Sequence, residues 1–246
     1  MSAAPVILVT GGSRGIGAAT ARLAAKRGYD VALTYVRDES AAARVTDDIR
    51  AMGRQALAVR ANVASEEDVA RAFAAVDEKL GRLSAVIVNG GITGQNSRLD
   101  QAEPGTLREV INVNLLGALF CAREAVRRMS TKHGGTGGAI VFISSRASVY
   151  GSAGEYVWYA ASKGGVDSLG IGLAREVGRE GIRVNVVSPG PIDTEIHRPG
   201  RLEKVVDRFA MGRAGRPEEV AEAALFLASD AASYCTGANL AVAGGA

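Results

Sequence analysis

Pro5-Val-Ile-Leu-Val-Thr-Gly-Gly-Ser-Arg-Gly-Ile-Gly17 decides the fold: an apolar run of strand length, a glycine turn, and a helical stretch that continues to about residue 27. A strand that enters a helix through glycines lets a pyrophosphate approach backbone N–H groups at the positive end of that helix. Gly11, Gly15 and Gly17 therefore read as positions where a side chain would stand in the way. Ser13, Arg14 and Ile16 lie on the same turn. The spacing is Gly-x-x-x-Gly-x-Gly, not the Gly-x-Gly-x-x-Gly of the general dinucleotide fingerprint. A tight connection without a ligand could use the same glycines, but a position directly after the first strand favours phosphate.

Working outward, residues 31–36 read as a second strand and 39–52 as a helix, which completes a βαβ unit. Strands follow at 55–61, 85–91, 138–145, 181–190 and 240–242, and helices at 65–80, 104–129 and 217–228. A loop over 146–158 leads into a helix beginning at Tyr159, and the mixed segment 191–211 reads as a lid over a substrate. The expectation is an α/β chain, 1–246, forming one Rossmann-type doubly wound parallel sheet of about seven strands with helices on both faces.

Composition agrees with one well-buried domain: 246 residues, 47% hydrophobic. The net charge of +3 is spread over 29 basic and 26 acidic residues, without the clustering of a nucleic-acid surface. No apolar run approaches the ~20 residues that span a bilayer, and the N-terminus lacks a signal-peptide layout, so a cytoplasmic protein without a membrane partner is expected. Cys121 and Cys235 are unpatterned and read as reduced thiols, while His133 and His197 lack ligand-like neighbours, so no metal site is expected.

The end of the second strand governs ribose chemistry, since an acid there favours NAD and arginines favour the extra phosphate of NADP. Tyr35 stands at that end, followed by Arg37, and Arg14 projects toward it from the glycine turn, which favours NADP(H) over NAD(H). Asp38 supports the competing reading as a ribose ligand, or it merely pairs with Arg37. Asn62 and Val63, after the third strand, sit where an adenine edge would lie, although an asparagine there can equally cap the next helix. Asn89, Gly90 and Gly91 end the fourth strand and would admit the cofactor closely. Asn114 interrupts an apolar helix, and Arg123, Arg127, Arg128 and Lys132 at its end complement the helix dipole or steer an acidic carrier.

Tyr159-Ala-Ala-Ser-Lys163 puts a phenol and an ammonium one turn apart on a helix face. Lowering a phenol from pKa ~10 to about 7 takes roughly 4 kcal/mol. One positive charge at ~4 Å in an effective dielectric near 20 supplies about that much. The small residues Ala160, Ala161, Gly164 and Gly165 would permit a close helix neighbour. Ser144 and Ser145 supply hydroxyls at the carboxyl end of the fifth strand.

Jointly, Thr10-Gly-x-x-x-Gly-x-Gly17, Val88-Asn-Gly-Gly91, Asn114, Ser145, Tyr159, Lys163 and Pro189-Gly190 resemble the short-chain dehydrogenase/reductase family, over essentially the whole chain. The resemblance implies hydride transfer between a nicotinamide and a carbonyl or secondary alcohol. Ser145 would hold the substrate oxygen and Tyr159 would donate or remove its proton. Lys163 would lower the phenol pKa and bind the nicotinamide ribose, and Asn114 would anchor a proton-relay water. It further implies nicotinamide contacts at Pro189, Gly190, the Ile192 backbone and Thr194, and a homotetramer. Val88 and Gly90 replace the family's usual asparagine and alanine, and Asn62 replaces its commoner aspartate. The Ser145-to-Tyr159 stretch is one residue long for the family, so Ser144 is the alternative hydroxyl. Tyr156 reads as a decoy, having Ala160 where a lysine is required. A 3-oxoacyl thioester, carrier-bound, is the first substrate expected. An alcohol or sugar dehydrogenase is the second reading, and a non-catalytic dinucleotide-binding regulator the third.

Overall fold

A computed structural model describes residues 4–196, 200, 202 and 206–246. The strands are β1 Val6–Val9, β2 Asp30–Tyr35, β3 Ala56–Arg60, β4 Leu83–Val88, β5 Gly138–Ile143, β6 Ile182–Pro189 and β7 Asn239–Val242. All pairings are parallel, in the order β3-β2-β1-β4-β5-β6-β7. The chain builds outward from β1 in one direction and then restarts on its other side at β4. That reversal opens a crevice at the carboxyl ends of β1 and β4, where such sheets bind ligands.

Helices cover both faces. On one, α1 Gly15–Lys26 and α2 Glu39–Ala51 pack with α8 Pro217–Ala228 over Ile7, Val9, Leu33 and Ile87. On the other, α3 Glu66–Lys79, α5 Gly117–Met129 and α7 Val157–Val177 cover Leu8, Val86, Ile140 and Phe142. The strands are continuous apolar runs because both faces are buried. A third, smaller cluster of Val110, Tyr156, Trp158 and Tyr159 sits above the sheet's carboxyl edge.

Two features depart from expectation. The helix expected over 104–129 is α4 Pro104–Ile111 joined to α5 by a π-helical turn, Asn112–Leu116, which centres on Asn114. The expected loop over 146–158 contains a short helix, α6 Ala147–Tyr150, and α7 starts at Val157 rather than at Tyr159. The turn between them carries left-handed backbone at Gly151, Ser152 and Gly154. Of the expected lid, residues 197–199, 201 and 203–205 lie outside the described residues, as does His197. Among the described residues, no helix is long and apolar enough to cross a membrane.

Candidate active site

A cavity of about 1030 Å³ opens at the carboxyl ends of β1, β2, β3, β4, β5 and β6. It gathers Gly11, Ser13, Arg14, Gly15, Ile16, Tyr35, Arg37, Asn62, Val63, Asn89, Gly90, Gly91, Ser145, Tyr159, Lys163, Pro189, Gly190, Ile192 and Thr194 along one wall or another. Of the candidate residues, Gly17 and Asn114 do not line it.

Gly17 serves packing. A Cβ there would come 2.3 Å from the Gly11 carbonyl oxygen and 2.7 Å from Asn89 Nδ2, so the bare backbone lets α1 seat against its own entry turn. This packing reason for the missing side chain stands beside the expected role of admitting pyrophosphate. Residues that sequence reading passed over hold that turn: Thr34 Oγ1 accepts from the Gly11 N–H at 3.0 Å, and Thr10 Oγ1 accepts from the N–H groups of Asn89 and Gly90. Asn89 Nδ2 donates to the carbonyls of Thr10 and Gly11, lashing β4 to the turn. Threonine at a strand end beside glycines was the signal available.

What the turn offers is donors. The N-cap of α1, Arg14, makes no side-chain cap bond, and the first turn holds no acid. The N-caps of α2 and α3, Asp38 and Ser65, do accept from their helices. The uncapped N–H groups of α1 and its dipole face the cavity, with Arg14 and Arg37 beyond. This donor set fits a dinucleotide phosphate.

Asp38 does not pair with Arg37. Its carboxylate accepts from the Ala41 N–H and the Ser40 hydroxyl, both at 2.8 Å, and these bonds hold its pKa below the usual carboxylate range. Asn62 Oδ1 accepts from the Ala64 N–H at 3.1 Å, so the oxygen of its amide is engaged locally.

Around Tyr159 the geometry is tight. Tyr156, read as a decoy for the catalytic phenol, packs against it: its ring meets that of Tyr159 edge-on at 5.3 Å and 84°. Lys163, 4% exposed, donates from Nζ to the Ile143 carbonyl at 2.8 Å and lies 5.8 Å from the Tyr159 ring centroid. Burial pulls the ammonium down to about 8, against an opposing effect from Asp167. Ser144 Oγ donates inward to the Lys163 carbonyl, whereas Ser145 Oγ faces the cavity and accepts from the Ala147 N–H at 3.1 Å. Ser145 thus keeps its own proton for a partner. Asn114, 2% exposed, accepts from the Ile92 N–H, donates to the Ile92 carbonyl and donates to Ser162 Oγ. Its side chain clamps the strand-end loop to α7, which is why it lies behind the cavity wall.

Beyond β6, Asp193 N–H donates to the Gly215 carbonyl and Gly215 N–H to that of Pro191. That bridge leaves the N–H and C=O of Ile192 on the opposite edge. The basic end of α5 is spoken for: Arg123 pairs with Glu66, and Arg127 and Arg128 with Glu124, Arg128 also holding Asp77. Steering of an acidic carrier, the alternative expected for this helix end, would have to act with these pairs in place. Among the described residues no cluster suits a metal ion.

The sequence model of a family described as Enoyl-(Acyl carrier protein) reductase matches residues 11–246. The chain is 46% identical over 244 residues to the uncharacterized oxidoreductase YgfF of Escherichia coli, covering 98% of this chain and 99% of that one. It is 40% identical over 243 residues to cis-4-hydroxycyclohexanecarboxylate dehydrogenase of Sinomonas cyclohexanicum, covering 98% and 95%. A crystal structure of a short chain dehydrogenase from Burkholderia cenocepacia, in complex with NADP, superposes with a TM-score of 0.92 at 33% identity, covering 98% of this chain and 97% of that one.

Proposed function

The chain belongs to the short-chain dehydrogenase/reductase family, and from that membership we propose that it interconverts a carbonyl and a secondary alcohol, with NADP(H) preferred over NAD(H). The observation that carries this reading is one cavity holding the uncapped N-terminus of α1 at one end and Ser145, Tyr159 and Lys163 at the other.

When bound, the dinucleotide supplies or accepts the hydride. Backbone donors from Ser13 to Ile16, approached across the bare Gly11, would hold its pyrophosphate, and Arg14 and Arg37 the 2′-phosphate that distinguishes NADP. Asp38 spends Oδ1 on capping α2, which leaves only Oδ2 to compete for a ribose hydroxyl. The Nδ2 of Asn62 and the side chain of Val63 would meet the adenine. Gly90, Gly91, Pro189, Gly190, the backbone N–H of Ile192 and Thr194 would frame the nicotinamide half. The family relative solved with NADP points the same way.

The Ser145 hydroxyl, its lone pair oriented by the Ala147 N–H, would donate to the substrate oxygen. Tyr159 would give that oxygen a proton in reduction and take it back in oxidation. Lys163, desolvated and beside the phenol, would favour the phenolate and hold the nicotinamide ribose through donors not used by Ile143. Asn114 would position this group by fixing the Ile92 loop against α7, with one acceptor site left for a relay water.

Two substrate readings stand. A carrier-linked 3-oxoacyl thioester is supported by the family's description. A free alcohol or hydroxy acid is supported by the relative at 40% identity. The residual exposure of Leu116 on the π-helical turn, Leu119 on α5 and Ile171 on α7 (38, 40 and 42%) supports assembly through this face, and we take the protein as a homotetramer of single-domain subunits with a substrate lid over 191–211. Assay of acetoacetyl thioesters, sugars and simple alcohols with both cofactors tests the reading. Cofactor binding with no turnover across the panel would favour a regulator, and higher affinity for NAD(H) would reverse the cofactor assignment.

A further inference from the structure

Arg146 follows Ser145 directly and lines the same cavity as Ser145 and Tyr159. Its backbone N–H is pinned to the Pro189 carbonyl at 2.9 Å, so the side chain departs from a fixed point beside the candidate reacting centre. The guanidinium stacks over the Tyr150 ring, 5.2 Å from its centroid. Nε donates to the Tyr150 hydroxyl at 3.3 Å and to the backbone oxygen of Ala246 at 3.2 Å, and Nη2 donates to the same hydroxyl. Those are its partners among the described residues: none is an Asp or Glu side chain, and the one anionic group among them is the terminal carboxylate of Ala246, which Nε alone engages. By contrast, Arg54, Arg123, Arg127, Arg128 and Arg213 each hold a carboxylate.

Of five N–H donors, the two on Nη1 and one on Nη2 stay available, which is the edge that grips a carboxylate through two parallel bonds. The stacked ring pre-orders the fork, so little side-chain freedom is lost when an anion arrives. Acids lining the cavity stand elsewhere: Asp38 caps α2, Glu195 lies against the glycine turn near Gly15, and Glu109 projects from α4.

We infer that Arg146 binds a carboxylate of the substrate, which narrows the substrate class to small oxo acids and the corresponding hydroxy acids. This rests on the carbonyl–alcohol reading above. In reduction the hydride adds to the ketone carbon and the Tyr159 proton to its oxygen, while the carboxylate leaves unchanged in the product.

The test measures kcat/KM with NADPH for 4-oxopentanoate, 5-oxohexanoate and 4-oxocyclohexanecarboxylate, each against its methyl ester, in the full-length enzyme and in Arg146→Met and Arg146→Lys. The expected acid-to-ester ratio is roughly 10- to 100-fold, the factor a charge-assisted pair provides. It should fall to about one in Arg146→Met and take an intermediate value in Arg146→Lys. A wild-type ratio of one or below, or an undiminished ratio in a folded variant, overturns the inference while ester turnover leaves the oxidoreductase reading standing. Should Arg146→Met not fold, the wild-type ratio and the lysine variant decide. No turnover of any compound, with NADPH binding seen by energy transfer from Trp158, overturns both.

Discussion

Lys163 shows how function is placed against stability at single residues. With its folded pKa near 8, below the unfolded ~10.5, burying the charge costs about 3 kcal/mol at pH 7. That cost is complete below pH 8, is relieved as pH rises toward 10.5, and disappears above it. Lys163→Met should therefore lower turnover by at least ~10². It should also raise the stability of the cofactor-free protein by about 2 kcal/mol at pH 7, after the lost bond to Ile143 is allowed for. Chemical denaturation at pH 7 and pH 10 checks this, since the variant's advantage over wild type must shrink at the higher pH. Two glycines give opposite expectations. Gly17→Ala forces a Cβ against the Gly11 carbonyl and should cost about 1–3 kcal/mol and weaken NADPH binding. Gly90→Ala meets nothing nearer than 3.6 Å and should change the melting temperature little. Sequence pattern shows that these glycines matter. It does not distinguish a phosphate contact from a backbone collision, because that depends on Asn89, far off in the chain.

At the level of elements, strands and helices were legible wherever an apolar run or its periodicity carried the information, as in β1, α1 and α3 with its Ser65 cap. The π-helical turn at Asn112–Leu116 was not, because a slipped hydrogen-bond register leaves no mark on side-chain patterning beyond one odd asparagine. Nor were the partners of Arg123 and Arg128, since Glu66 and Asp77 lie 57 and 51 positions away on α3. The α2 cap separates two readings of one acid. If Asp38 serves the helix, Asp38→Ala should lower stability by about 0.5–2 kcal/mol and leave the preference for NADPH intact. Thermal melts with both cofactors measure it, and a selective loss of NADH affinity would instead assign Asp38 to ribose.

For the whole molecule, the chain reversal between β1 and β4 explains why residues from six strand ends meet in one cavity. The alternation of strands and helices was sufficient to expect that crevice and most of its wall. Arg146 and the Tyr156–Tyr159 contact emerge only once α6 and the turn after it are folded. Light scattering addresses assembly: a tetramer is expected, and a monomer would contradict it. The proton-transfer role of Tyr159 is tested most directly by comparing Tyr159→Phe with wild type on a turned-over ketone, with NADPH binding followed in parallel. The account predicts intact NADPH affinity and a loss of kcat of about 10²–10⁴. Near wild-type turnover by the phenylalanine variant would contradict it.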